Sequence, residues 1–274
     1  MSRDKTVEAW VACGGASQRM AVTAALALAP AAAIASAWTW PEGEGQAILS
    51  FSGGAGAYNG QLGSGAARET RLESALDLEY GLRDELTAFV QSGFEDIAIA
   101  APVSDAYRGL DYSAAGLRAR LFSSQSLVWS VQGAALVPGA HDPSRPAQAG
   151  NTGFDSDWRT LVGSSFPVGG LWGFADVSLG YRTRGGGPPD EWEADLTLGA
   201  HLRDNLTIMA QSFNSASNGS NAPRFPAEQT MVVQPSLVYD FDKFWSVQIG
   251  AYATVRAVNA NREDGIVIAV WRRF

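Results

Sequence analysis

Residues 191–202 read Glu191-Trp192-Glu193-Ala194-Asp195-Leu196-Thr197-Leu198-Gly199-Ala200-His201-Leu202. Every even position from Trp192 is apolar, and every odd position is charged, polar or glycine. A β-strand sends successive side chains to opposite faces, so this stretch makes a strand with one apolar and one polar face. A helix would need its apolar residues three and four apart. The rhythm recurs. Leu72, Ser74, Leu76, Leu78 and Tyr80 alternate with Arg71, Glu73, Ala75, Asp77 and Glu79. Trp245, Val247, Ile249, Ala251, Ala253 and Val255 alternate with Ser246, Gln248, Gly250, Tyr252 and Thr254. Good helix formers in 67–86 compete, but strict alternation and the turn Tyr80-Gly81-Leu82-Arg83-Asp84 favour strand.

Laid out this way, the chain carries strands near 46–57, 71–81, 85–94, 112–122, 127–136, 157–166, 172–183, 191–202, 206–213, 230–240, 244–256 and 265–274. Short connections alternate with longer ones rich in Gly, Pro, Asn, Ser and Asp. Pro235 fits poorly, because proline removes a ladder donor, so a bulge or a different boundary is expected there. Aromatics such as Tyr80, Phe94, Tyr112, Trp158, Trp172, Tyr181, Trp192, Tyr239 and Trp245 fall near strand ends, where a membrane interface favours amphipathic rings.

Composition narrows the function classes. The chain has 274 residues, with 30 Gly, 9 Trp, 12 Phe, 1 Cys and 2 His, and a net charge of −8. One cysteine excludes a disulfide scaffold. The acidic balance argues against nucleic acid as a partner, since phosphate contacts need a basic face. Met20 to Ala35 is an uncharged, mostly apolar run behind Arg19, followed by Ala35-Ser36-Ala37. This is the pattern of a secretory signal peptide with its cleavage signal at Ala35 and Ala37. The expected division is a leader at 1–37, a short periplasmic segment at 38–45 and a barrel at 46–274. Cys13 would leave with the leader.

Short turns on one side, longer loops on the other and an even strand number describe an all-β, closed, antiparallel, up-and-down transmembrane barrel of about twelve strands. The last residues carry a family resemblance. The chain ends on Phe274, preceded at alternate positions by Val270, Ile268 and Ile266, with Arg272 breaking the series. This resembles the β-signal of Gram-negative outer-membrane barrels. Size and strand number resemble small twelve-stranded transporters, including the group associated with meta-pathway degradation of aromatic compounds. The resemblance implies outer-membrane lipids and the barrel assembly machinery as partners.

In such a barrel the polar faces line the lumen. The candidate lumen charges are Glu73, Asp77, Glu79, Arg118, Arg120, Arg159, Asp176, Arg182, Glu193, Asp195 and Arg256, with Asp157 and His201 on the same faces. Hairpin geometry around 185–190 suggests Arg182 opposite Glu193 and Gly180 opposite Asp195. These charges could form a selective constriction or a salt-bridge network that fills the lumen. No G-x-S-x-G elbow or S-x-x-K motif supplies a nucleophile, and His141 with Asp142 and Ser144 reads as solvated loop. His141 and His201 are too far apart for a metal motif, so neither catalysis, metal nor cofactor is expected. The expected function is a passive channel for a small solute. Polysaccharide export and a structural or surface-interaction barrel with a plugged lumen are the alternatives.

Overall fold

A computed structural model describes residues 36–58, 67–140, 142, 145–148, 153–219 and 226–274. Twelve strands follow in chain order: β1 (Gly45–Tyr58), β2 (Ala67–Arg83), β3 (Leu86–Ile99), β4 (Asp105–Ser123), β5 (Leu127–Val137), β6 (Asp155–Val168), β7 (Leu171–Thr183), β8 (Glu191–Arg203), β9 (Leu206–Ser217), β10 (Glu228–Asp240), β11 (Trp245–Val258) and β12 (Arg262–Arg273). Each is antiparallel to its sequence neighbours, and β12 pairs with β1, so the sheet closes without an edge. Closure pairs the backbone of each strand with a neighbour on both sides, which is what hydrocarbon demands of a spanning structure.

Five short turns, 84–85, 124–126, 169–170, 204–205 and 241–244, share one end, which we call the turn end; the connections at the other end are mostly longer, with the three-residue 259–261 the exception among the described residues. Gly169 and Gly170 have φ of 57° and 84°, a left-handed backbone that glycine adopts without strain. Asp242 closes the last turn by accepting the backbone N–H groups of Phe244 (2.6 Å) and Trp245 (2.8 Å).

The alternation sorts the side chains. Leu72, Leu76, Leu198, Ile249, Ile266 and Ile268 stand exposed on the outer wall, and their polar strand neighbours point inward. Trp158 and Trp192 mark one end of this apolar band, while Tyr80, Trp172, Tyr239 and Trp245 mark the turn end. Such an outer face is compatible with lipid, where an apolar coat is solvated rather than collapsed. Ile266, Ile268 and Val270 belong to it. Phe274 seals the seam: its N–H and C=O bond both ways with Gly45, at 3.0 and 2.8 Å. Arg272 also points outward, with its guanidinium over Phe244 (4.8 Å) and Trp245 (5.0 Å), so its departure from the apolar series places a cation among aromatics at the turn end.

Three details differ from the sequence reading, and bulges explain two. The β3–β4 register shifts between Ser92 and Phe94, and both Asp111 and Tyr112 turn inward; Tyr112 is therefore buried and not part of the girdle. In the β10–β11 pair, Met231 faces Arg256 and Val232 faces Thr254, so Val255 is the extra residue. It flips the parity beyond it and puts Arg256 on the exposed face, outside the lumen. The third is register: Arg182 pairs with Glu191, Gly180 with Glu193 and Ser178 with Asp195, two residues from the expected pairing. The parity is preserved, because a shift of two residues leaves every side chain on its own face, and Asp190 accepts the N–H of Arg184 within the loop. Pro235 needs no bulge of its own. It sits exposed on the outer wall, paired with Ala210, and the ladder to β11 lapses beside it.

Candidate functional site: the lumen

The inward faces of twelve strands meet in one lumen, and its two halves differ. Toward the turn end lies an apolar cluster of Ile48, Phe89, Phe174, Met209, Val238, Ala269 and Trp271, with Trp38 packed against it. Inward glycines make room for rings: a Cβ on Gly199 would collide with the Phe174 ring, and one on Gly163 would stand 2.6 Å from the Trp38 ring. Phe174 and Tyr252, aromatic residues on polar faces, are both inside.

Trp38 belongs to the segment that precedes β1. Residues 36–41 do not hang below the barrel as a periplasmic tail but enter its turn end. The Ala37 N–H donates to Asp176 Oδ2 at 2.6 Å, and Ser130 Oγ donates to the Ala37 carbonyl at 2.5 Å. Arg118 Nη1 donates to the Trp38 carbonyl at 3.0 Å. The Trp40 N–H donates to Thr87 Oγ1 at 2.8 Å, and its indole N–H donates to Glu79 Oε2 at 2.7 Å. Arg118, fully buried, ties the latch together by pairing with Glu79 at 2.7 Å and donating to Gln132 Oε1 at 3.1 Å. A cavity of about 260 Å³ remains beside this segment, lined among others by Trp38, Trp40, Arg120, Ser126 and Ser165.

Two ion-pair clusters occupy the other half. Arg159 lies across Gly180 and reaches three carboxylates: Asp157 at 2.8 Å, Asp195 at 2.6 Å and Glu193. Beside it Arg182 pairs with Asp155 at 2.7 Å, its guanidinium 4.5 Å from the Tyr112 ring centre. On the facing wall Arg71 pairs with Glu95 (3.3 Å), Glu69 (3.4 Å) and Glu263 (3.7 Å). Tyr252 hydrogen-bonds Glu263, and Asn261 donates to Glu69 at 2.8 Å. The Arg71–Glu263 and Asn261–Glu69 contacts tie the end of the chain's last hairpin to β2 across the seam.

The sign of the lumen is unequal. Among the described residues, the buried charges are Glu69, Asp77, Glu79, Glu95, Asp111, Asp155, Asp157, Asp176, Glu193 and Asp195 against Arg118, Arg159 and Arg182. Asp77 Oδ1, Gln234 Oε1 and Gln248 Oε1 are buried and accept no hydrogen bond from the described residues. Carboxylates therefore outnumber guanidiniums among the buried charges around the lumen.

Of the residues singled out in the sequence, Asp77, Glu79, Arg118, Arg159, Asp176, Arg182, Glu193 and Asp195 are buried inside, while Glu73 and Arg120 are half-buried. Glu79 and Arg118 meet at the latch, and Arg159, Glu193 and Asp195 meet in one cluster. Arg256 joins neither. Glu69, Arg71, Glu95, Asp155 and Glu263 were not singled out; the first two continue the odd-numbered face that begins at Glu73, so the parity of β2 already carried them. Ala35, His141 and Ser144 lie outside the described residues. His201 accepts or donates one hydrogen bond, to Thr207 Oγ1 at 2.9 Å.

No family model and no curated protein matches the chain. Solved structures do. The COG4313 outer membrane channel from Pseudomonas putida F1 aligns at a TM-score of 0.69 and 12% identity, over 90% of this chain and 100% of that one. The beta domain of the Bordetella autotransporter BrkA gives 0.53 at 10% identity, over 85% and 100%. The transport unit of the autotransporter AIDA-I from Escherichia coli gives 0.51 at 7% identity, over 96% and 98%. At these identities the shared property is architecture, and the architecture is that of an outer-membrane β-barrel.

Proposed function

We propose that this protein is a passive channel of the Gram-negative outer membrane, with a preference for cationic or neutral polar solutes. The observation that carries the reading is the excess of buried carboxylates over guanidiniums around the lumen. A low-dielectric wall focuses that field on the pore axis, so it attracts cations and repels anions. Residues 36–41, latched by Arg118, Glu79, Ser130 and Asp176, act as the gate at the turn end, which faces the periplasm. Lipid surrounds the apolar coat, and Phe274, at the seam with Gly45, is the handle for the barrel assembly machinery. An N-terminal leader delivers the chain to the periplasm.

The test is conductance in planar bilayers. The parent protein gives a small conductance and a reversal potential of cation-selective sign in a KCl gradient, and deleting 38–41 raises the conductance without changing that sign. Anion selectivity overturns the charge argument. No current from either form overturns the channel and favours a structural barrel, a reading that the latched segment and the ion-pair clusters also support.

A further inference from the structure

The small-residue rule for signal peptidases is satisfied repeatedly in this chain, and the two sites nearest the barrel are Ala33-Ile34-Ala35 and Ala35-Ser36-Ala37. Sequence alone leaves the two cuts degenerate, although the second gives the expected leader at 1–37. The barrel distinguishes them. Ala37 is completely buried, with its side chain among Val128 and Leu161. Both of its backbone groups are engaged, the N–H by Asp176 and the carbonyl by Ser130. Asp176 is a buried carboxylate with no ion-pair partner within 4 Å among the described residues. A cut after Ala37 would strip Asp176 and Ser130 of these partners in a site closed to solvent. It would also create an ammonium on Trp38, the residue whose carbonyl already receives the Arg118 guanidinium at 3.0 Å, so two cations would be crowded together.

We propose that the leader is cut between Ala35 and Ser36, and that the resulting N-terminus is held inside the turn end by Asp176. Water adds across the peptide bond in the active site of the signal peptidase. The Ala35 carbonyl carbon leaves as a carboxylate on the leader, and the Ser36 nitrogen becomes the α-ammonium of the mature chain. That cation lies one residue from the backbone N–H that Asp176 already accepts, and one residue farther from Arg118 than the alternative terminus would be. The charge of Asp176 is then balanced, and the latch is complete from its first residue. The inference rests on the leader being removed at all, which the same measurement decides separately.

The intact mass and N-terminal sequence of protein extracted from outer membranes test the cut. A chain beginning at Ser36 is expected. A chain beginning at Trp38 overturns the proposal, and one retaining Met20 to Ala35 overturns the leader reading instead. Anchoring is tested with Thr39→Cys as a probe, since Thr39 is buried and Cys13, the sole cysteine, lies in the leader. Maleimide labelling of the folded barrel should be slow in Thr39→Cys alone and about tenfold faster when Asp176→Asn is added, as expected when a charge-assisted bond is lost. Asparagine keeps an acceptor oxygen for the Ala37 N–H but removes the negative charge. Equal labelling rates would therefore overturn the ammonium anchor, while unchanged gel mobility of the folded form confirms that the barrel itself survives the substitution.

Discussion

Replacing Arg159 by methionine removes the centre of the most crowded ion-pair cluster while keeping much of its volume. Arg159 Nε donates to Asp157 at 2.9 and 3.1 Å, Nη2 to Asp157 at 2.8 Å and to Glu193, and Nη1 to Asp195 at 2.6 Å. After the substitution Asp195 retains the Ser178 hydroxyl at 3.2 Å. Asp157 and Glu193 keep no other side-chain partner among the described residues. A buried polar group left unpaired costs about 1–3 kcal/mol and a charged one more, so two orphaned carboxylates and one weakened carboxylate bring the loss to about 3–5 kcal/mol, the usual range for breaking a buried ion pair from one side. The assay is reversible unfolding in phospholipid vesicles, followed by tryptophan fluorescence and by the gel mobility of the folded form. Adding Asp157→Leu, Glu193→Leu and Asp195→Leu should recover most of the loss, since a buried ionic cluster and an apolar one of similar volume are often equally stable. A loss below about 1 kcal/mol for Arg159→Met at pH 7 would refute the view that this cluster is a dry, mutually dependent unit, because hydrated charges lose little when a partner goes.

Gly199→Leu should destabilise the barrel by about 1–3 kcal/mol through collision with the Phe174 ring, measured in the same unfolding assay. Glu73→Gln with Asp77→Asn should move the reversal potential toward zero by removing two lumen carboxylates while leaving the latch untouched. Phe274→Ala should lower the amount of barrel recovered from outer membranes but leave the stability of separately refolded protein nearly unchanged, since its backbone seal to Gly45 does not depend on the ring. Asp242 gives a pH test outside the membrane-spanning wall. The N–H groups of Phe244 and then Trp245 hold its carboxyl below the ordinary carboxylate value. A depressed folded value contributes stability above the unfolded pKa, about 3.9, and loses it as pH falls through the folded one. Asp242→Ala should therefore lower the unfolding temperature at pH 7 and have little effect at pH 2.

Alternation made the wall legible in the sequence because period two is a property of each strand by itself. Residues such as Asp77, Arg159 and Asp195 were assigned to the lumen from their own neighbours, without knowledge of any partner. Register was less accessible. Parity excludes a slip of one residue but not of two, so Arg182 was set opposite Glu193 when Glu191 stands there. Bulges are harder still: at Tyr112 and Arg256 one extra residue reverses inside and outside, and each neighbourhood reads as unbroken alternation. Nothing in residues 36–41 announced that they return into the barrel, since their partners Glu79, Arg118, Ser130 and Asp176 are contributed by four different strands.

The two backbone hydrogen bonds between Gly45 and Phe274 tie the start of the first strand to the residue that follows the last. Upstream of Gly45 the polypeptide turns inward to partners on β2, β4, β5 and β7, so the segment that leads into the first strand also stops the mouth of the cylinder. For anyone handling the protein the lesson is practical. An affinity tag or reporter fused ahead of Ser36 must share the bore with Trp38 and Trp40, whereas one carried between β7 and β8, where 184–190 joins them on the side away from the turns, would leave the stopper seated.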